Sequence, residues 1–443
     1  MISEDLAKFA LTTNYDDIPH EVIEKARLSF LDYLAVTLRG SLSPSGVKAY
    51  KLHMVAFGTI HDDFIKFSTV IGHNKANYVI AGLINGISAH ALDFDDGHSN
   101  AQIHPGAVVF STALSLSESH LKTGKEFLEA SIIGYEVAIA LSKIINPSHR
   151  NKGFHTTGTI GTIASAITAA KILNLEEKEI INAIGLATTQ AAGLLISDHE
   201  GTMAKHLHVG NAVESGIIAA LLAQQGVTGP KNVFEGNQGF FQTHVDEING
   251  DLELGKYHIL DTYVKEYPIC AHIHSSINAT KNIIREINSK IIPQDINKIN
   301  IESYKIASEH DNINIDSIEG LKQSLPLSVS IVILKGNIGL DDITEYFENS
   351  EFQEEVNNLA SKIKLIHNPN LDDNIRQSKV TIKYNNKEYS SMDDNQNKEF
   401  TFNDVLEKFK SLNPDFADFG IDKIYDIESN QIRMFMNQFY KYP

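Results

Sequence analysis

Four stretches of this chain concentrate side chains that move protons or bind anions. The first reads Ala91-Leu92-Asp93-Phe94-Asp95-Asp96-Gly97-His98, with His104-Pro105-Gly106 shortly after. Then come Gly153-Phe154-His155 and Gly201-Thr202-Met203-Ala204-Lys205-His206-Leu207-His208. The last is Tyr267-Pro268-Ile269-Cys270-Ala271-His272-Ile273-His274. Each mixes titratable residues with Gly or Pro, as polar groups presented from loops and helix ends require. If they converge, the site holds a carboxylate, several imidazoles and an ammonium. That equipment suits proton transfer on an anionic substrate.

Each stretch also has a plainer explanation. Asp93, Asp95, Asp96, His98 and His104 could hold a divalent metal, or one Asp could orient a proton-moving histidine. The same acids could simply cap a helix and bind turn amides, and for Asp95 and Asp96 singly capping is the expectation. His155 precedes a helix rich in small residues, where anions are welcome; it could equally be bonded to a backbone carbonyl. Lys205, placed just before a strong helix, could clamp a carboxylate or lie on the surface. His272 and His274 would share a face of an extended segment. Cys270 is expected to be packed, because free cysteine is usually buried.

The elements that must position these residues are mostly helices. Small and apolar residues recur at helical spacing in Val79–His90, Ala107–His120, Gly158–Leu173 and Ile217–Gln225. Asn211 is placed to cap a helix ending at Gly226, with Glu214 three residues on. The texture changes near residue 265. Ile299, Ile301 and Tyr304-Lys305-Ile306 suggest an extended segment. Val380, Ile382 and Tyr384 alternate before Asn385-Asn386-Lys387, which suggests a hairpin. Helices are expected over Gly339–Glu348, Glu351–Lys362, Asp404–Leu412 and Ile421–Tyr440. The polar run Asp393–Lys398 is expected to be a surface loop. The expected organisation is a helical domain over 1–265, an α+β domain over 266–400, and C-terminal helices over 401–443 that rejoin the first.

Composition narrows the function. The 443 residues are 42% hydrophobic and 21% charged, as in a soluble globular protein. A formal charge of −18 argues against nucleic-acid binding and requires a local basic pocket for any acidic substrate. There is no run of about 18 apolar residues to span a membrane, and no signal-type start. One cysteine leaves no intramolecular disulfide and no cysteine-built zinc cage, so the cytoplasm is the expected compartment. The lack of a Gly-rich phosphate loop, a nucleophile elbow or an HExxH helix argues against a nucleotide cofactor, a serine hydrolase and a zinc protease.

Taken in order, the motifs resemble the MmgE/PrpD family of 2-methylcitrate dehydratases, cis-aconitate decarboxylases and iminodisuccinate epimerases. The resemblance runs through about the first 275 residues. It joins the Ala91–His98 and His104-Pro105-Gly106 blocks, Gly134-Tyr135-Glu136-Val137, Gly153–Gly158, Gln190-Ala191-Ala192-Gly193-Leu194, Gly201–Ala212 and Tyr267–His274. It implies a mainly α fold, with a large all-helical domain and a smaller α+β lid, and a homodimer. It also implies a metal-free, cofactor-free site at Asp93, His104, His155, Lys205 and His274. The implied reaction is that of a lyase on a small di- or tricarboxylate, by dehydration or decarboxylation through an enolate or carbanion. An epimerase of a related acid is the alternative, and a silent carboxylate-binding paralogue is another. Three positions depart from the family pattern. Gly97 stands where Thr is frequent, Asn278 where Asp is usual, and Leu327 where Tyr is common. The Lys205 block resembles the decarboxylase and epimerase branches more than the dedicated dehydratases.

Overall fold

The structure, a computed structural model, describes residues 1–57, 66–288, 291–371, 375–394 and 399–439. The fold is mainly α, with 21 α-helices and six strands among these residues. The chain divides into two compact units. The first comprises Met1–Leu195, Met203–Val264 and Glu399–Pro443; the second comprises Ile196–Thr202 and Lys265–Lys398. No helix among the described residues is long and apolar enough to cross a membrane.

The first unit is built around two helices buried on nearly every face, Pro105–Ser119 and Thr156–Ile172. Their small and apolar side chains leave no polar stripe to turn toward water, which makes them central rather than amphipathic. The long helix Ala204–Gln224 packs against Thr156–Ile172, Tyr78–His90 and Glu177–Thr188. It starts seven residues before Asn211, so Asn211 is an exposed interior position and not a cap. Propensity is a weak signal here, since the buried stripe Val209, Ala212, Val213, Gly216 and Ile217 decides the helix. Gly226 does take the expected left-handed conformation past its end, at φ 85°. Among the described residues, the departure from an all-helical unit is a short antiparallel pair of strands, β1 (Phe67–Thr69) with β2 (Lys75–Asn77).

The C-terminal segment is held to the first unit by its Phe402–Leu412 helix, which packs on His20–Gly40. Lys408 carries the polar part of that contact. Its ammonium lies 2.7 Å from the buried Asp32 carboxylate and donates to the Phe94 carbonyl at 3.0 Å. Beyond it, Ile421–Tyr440 is expected as one helix. Its described part is instead broken into Asp422–Tyr425, a 3-10 turn at Asp426–Ser429, and Ile432–Met436.

The second unit has its own apolar core and a four-stranded mixed sheet. Strands β3 (Ile296–Ser303) and β4 (Ile363–His367) pair in parallel. Strand β5 (Ser378–Tyr384) pairs antiparallel with both β3 and β6 (Lys387–Asp393). Ser378, Val380, Ile382 and Tyr384 are buried while alternate residues are not, as period-two patterning requires. The β5–β6 loop is Asn385-Asn386, both at positive φ, the backbone that a two-residue hairpin favours. Leu340–Glu348 and Ser350–Ala360 are helical, close to the expected bounds. Lys305 and Ile306 belong to a short helix, Lys305–Ser308, rather than to the strand. The polar run at Asp393–Lys398 passes outside the described residues after Asp394.

One buried carboxylate fixes how the acidic loop meets the central helix. Asp96 accepts the Gly106 N–H at 3.0 Å in the first turn of Pro105–Ser119, and the Tyr135 hydroxyl at 2.7 Å. Burial pushes its carboxyl up to about 7 against those two hydrogen bonds. A carboxyl raised on folding contributes stability that is full below its unfolded value, near ~4, and lost as pH rises through about 7. Asp96→Asn cannot titrate yet keeps an acceptor for Gly106. It is expected to lose less stability between about pH 5 and pH 8 than the native chain, by an amount on the order of a few kcal/mol, read as a smaller fall in melting temperature. Parallel melting curves for both proteins across that range would show that Asp96 is ionised throughout.

Candidate active site

The acidic loop follows the Tyr78–His90 helix and turns sharply at Asp93, whose φ of 51° lies in the left-handed region. Such backbone costs energy outside glycine and often marks a functional loop. The turn aims Asp93 at Lys205, with Oδ2 3.3 Å from Nζ, and both side chains are buried. Lys205 is the second residue of the Ala204–Gln224 helix, not a residue before it.

Asp95 points the other way. Its Oδ2 accepts from His90 Nδ1 at 2.8 Å and lies 3.7 Å from His104 Nδ1. The His104 Nδ1–H also donates to the Asp96 carbonyl at 2.8 Å. Both neighbours of that nitrogen are acceptors, so it carries the hydrogen, and the lone pair of the neutral ring is on Nε2. His98 serves the turn itself. Its Nδ1 accepts the Ala101 N–H at 3.1 Å, and its backbone bridges to Ile103 just before His104.

His104 caps Pro105–Ser119 and His155 caps Thr156–Ile172. The two starts are joined by the His104 N–H, which donates to Thr157 Oγ1 at 3.1 Å. The His155 loop is held by the Gln190–Leu194 segment. Gly193 accepts the His155 N–H at 3.0 Å, and Phe154 bridges to Leu194. Gly193 is at φ 142°, and a Cβ there would lie 3.3 Å from the His208 ring, so this motif glycine lets the backbone close over two imidazoles. Phe154 stacks on His149 at 4.9 Å between centroids and leans, tilted, on His244 at 4.5 Å.

His155 Nδ1 and His208 Nδ1 are 3.1 Å apart, so one of the two must be an unprotonated acceptor. Burial, then the nearby charges of His90, Lys205, His208 and His104, hold His155 well below the usual imidazole range. It is therefore neutral near neutral pH.

The structure thus brings four of the five expected site residues, Asp93, His104, His155 and Lys205, into one cluster of the first unit. The sequence reading missed its centre. His90 is fully buried, with His104, His155 and His206 rings at 5.1, 5.7 and 6.2 Å. As the last residue of an apolar helix it looks like part of the helix; its spacing of five from Asp95 was the available signal. Side-chain ligand atoms of His90, Asp95 and His104 lie within 4.8 Å of one another. Both Nδ1 atoms face acceptors and so hold hydrogens. That pattern describes shared protons more directly than a shared cation.

His274 lies in the second unit. The segment is not extended there. Ala271–Ile273 is a 3-10 turn and His274 begins the helix His274–Ile287, because Ile273, Ile277 and Ile283 supply a buried helical stripe. His274 Nε2 is 3.3 Å from the Ile269 carbonyl and its ring packs on Tyr267. His272 Nδ1 is 2.6 Å from the Tyr304 hydroxyl. Cys270 is partly buried against the second core, with Sγ 3.7 Å from His310 Nε2.

The sequence matches known proteins along most of its length. The N-terminal domain of the MmgE/PrpD family matches residues 4–251, and its C-terminal domain matches residues 267–422. A cis-aconitate decarboxylase of Aspergillus terreus is 25% identical over 413 residues, covering 87% of this chain and 82% of its own. The cis-aconitate decarboxylase of Homo sapiens is 25% identical over 384 residues, covering 83% and 77%. That of Mus musculus is 26% identical over 303 residues, covering 65% and 61%. The chain belongs to the MmgE/PrpD family.

Proposed function

We propose that this protein is a metal-free lyase acting on a small di- or tricarboxylate, by decarboxylation or dehydration through a carbanion or enolate beside a carboxylate. One observation carries the reading. Three long helices of the first unit start at His104, His155 and Lys205, so positive helix ends and basic side chains collect beside two buried aspartates. In a protein of net charge −18 this is the kind of local basic site that an anionic substrate needs. The cis-aconitate decarboxylases among its relatives support the same substrate class.

The residues divide the work by their protonation. Lys205 holds a substrate carboxylate, sharing its charge with Asp93. In decarboxylation, the bond to the departing carboxylate breaks and carbon dioxide leaves. The electron pair stays on the adjacent carbon and is stabilised by the neighbouring carboxylate group, and a proton from an imidazolium then closes the sequence. In dehydration, a neutral imidazole removes the carbon-bound proton and a protonated one delivers a proton to the leaving hydroxyl. His155, held neutral, suits the role of base. His104, bonded through Nδ1 to Asp96 and facing Asp95, suits exchange of a proton at Nε2. Each positioned acid or base is worth ~10²–10⁴-fold in rate.

Two family departures have a structural account within the second unit. Leu327 is fully buried in the second core, and Asn278 accepts the Tyr267 hydroxyl at 2.8 Å.

A panel of citrate, 2-methylcitrate, cis-aconitate and iminodisuccinate-type acids, followed by proton NMR in deuterated water, tests the reaction class. Net loss of carbon dioxide or water is expected from one of them. Deuterium exchange without conversion would identify an epimerase, and no change in any acid a binding protein. With the substrate known, Lys205→Ala is expected mainly to raise KM, and His104→Ala to lower kcat by ~10²-fold or more. Lys205→Arg should not rescue fully, because a planar fork does not reproduce a point charge against Asp93. Wild-type kcat in His104→Ala would remove that residue from the chemistry.

A second measurement addresses the metal. Activity is expected to survive prolonged dialysis against a chelator. Loss of activity that one added metal restores would show that His90, Asp95 and His104 bind a cation after all.

A further inference from the structure

We propose that His90 is a positioning residue for proton transfer, which by donating to Asp95 sets how closely that carboxylate approaches His104 and so tunes the basicity of the His104 ring. The inference deepens the lyase reading and rests on it for the chemistry, though its structural claim stands on geometry alone.

His90 is fully buried at the end of the Tyr78–His90 helix and touches no solvent. An imidazole is an expensive filler for such a place, since a buried polar atom without a partner keeps its full desolvation cost. His90 bears that cost, because its Nε2 is buried and makes no hydrogen bond with the described residues. An apolar side chain would pack there without it. What His90 gains is the 2.8 Å bond from Nδ1 to Asp95 Oδ2. The same oxygen is 3.7 Å from His104 Nδ1. One carboxylate oxygen therefore serves two rings, and how far it leans toward His104 depends on His90.

The groups around this triad are all basic or already engaged. His155 lies 5.7 Å from His90, nearly parallel, from the start of Thr156–Ile172, and His206 lies edge-on at 6.2 Å from Ala204–Gln224. His208 is bonded to His155, and Lys205 is paired with Asp93. Asp96 presents its carbonyl to His104 and keeps its carboxyl for Gly106 and Tyr135. Asp95 is thus the carboxylate placed to act on His104, and His90 is the residue placed to aim it.

The test reads the His104 ring directly, with uniformly 15N-labelled full-length protein and assignment by His104→Gln. In the native chain, His104 is expected to show the nitrogen shifts of the Nδ1–H form when neutral. Asp95→Asn removes a charge within ~4 Å and should lower the His104 titration midpoint by about one pH unit. His90→Phe frees Asp95 to close on His104 and should raise that midpoint by about half a unit or more. His90→Asn keeps an N–H donor near the Nδ1 position and should restore it. A His90→Phe protein with lowered melting temperature but an unchanged His104 midpoint and tautomer would reduce His90 to a packing role. Should His90→Phe fail to fold, Asp95→Asn decides alone, because an unmoved His104 there removes the link through which His90 is argued to act. None of these readings needs a substrate, so the positioning claim can fail while the lyase reading stands, and the reverse.

Discussion

Burying the loop Asp93–Asp96 is the constraint on which much of the first unit depends. Three carboxylates within four residues are 2–4% exposed, and a buried carboxylate without partners is far too costly to keep charged. Each one is answered from a different element. Asp93 meets Lys205 from the Ala204–Gln224 helix. Asp95 meets His90 from the helix before the loop and His104 after it. Asp96 meets Tyr135 in the Gly124–Ile145 helix and the first turn of Pro105–Ser119. Even the peptide between them is claimed, since the Phe94 carbonyl accepts from Lys408 near the other end of the chain. Satisfying one short loop thus ties together four helices and the C-terminal segment. The same bonds that make burial tolerable place the basic groups where chemistry can use them.

Charge in this cluster is a property of the group. The protons of His90, His104, Asp95, His155 and His208 are linked through shared oxygens, a direct nitrogen–nitrogen contact and stacked rings. Titrations of such a set belong to the assembly, and a pH–rate profile will report apparent values. Two members nevertheless have clear tendencies with clear causes. Burial among other cations keeps His155 neutral, while burial among other anions pushes Asp96 up to about 7.

How far this could be read from the sequence differed by element for physical reasons. Strand β5 and its hairpin were legible because alternation and an Asn-Asn turn are local signals. The helices Tyr78–His90, Pro105–Ser119 and Thr156–Ile172 were legible because their small and apolar residues leave little else to form. Asn211 misled because a good capping residue also sits tolerably on the exposed face of a helix whose opposite face is buried. His272 and His274 misled because Pro268 says where a helix cannot run but not where the next one starts. In the site, Asp93, His104, His155 and Lys205 were found as motif residues. His90 was not, because its side-chain contact crosses a turn, and its spacing of five from Asp95 is a weak signal at the end of an apolar helix.

The Gly97 departure has its account in packing. A Cβ at Gly97 would lie 2.5 Å from the Tyr263 hydroxyl and 2.7 Å from its ring carbon, and the two backbones are bonded to each other in both directions. The space a side chain at position 97 would need is therefore filled by a phenol from residue 263. Restoring a larger residue at 97 requires that ring to move, so the two positions are coupled, and neither can be interpreted alone. Residue 97 adjoins Asp96, whose carbonyl fixes His104, yet the exchange of a side chain for a neighbour's ring leaves that carbonyl and both histidine-capped helix starts in place. The histidines at the helix starts and the side chains packed beside the acidic loop are thus separable in this chain.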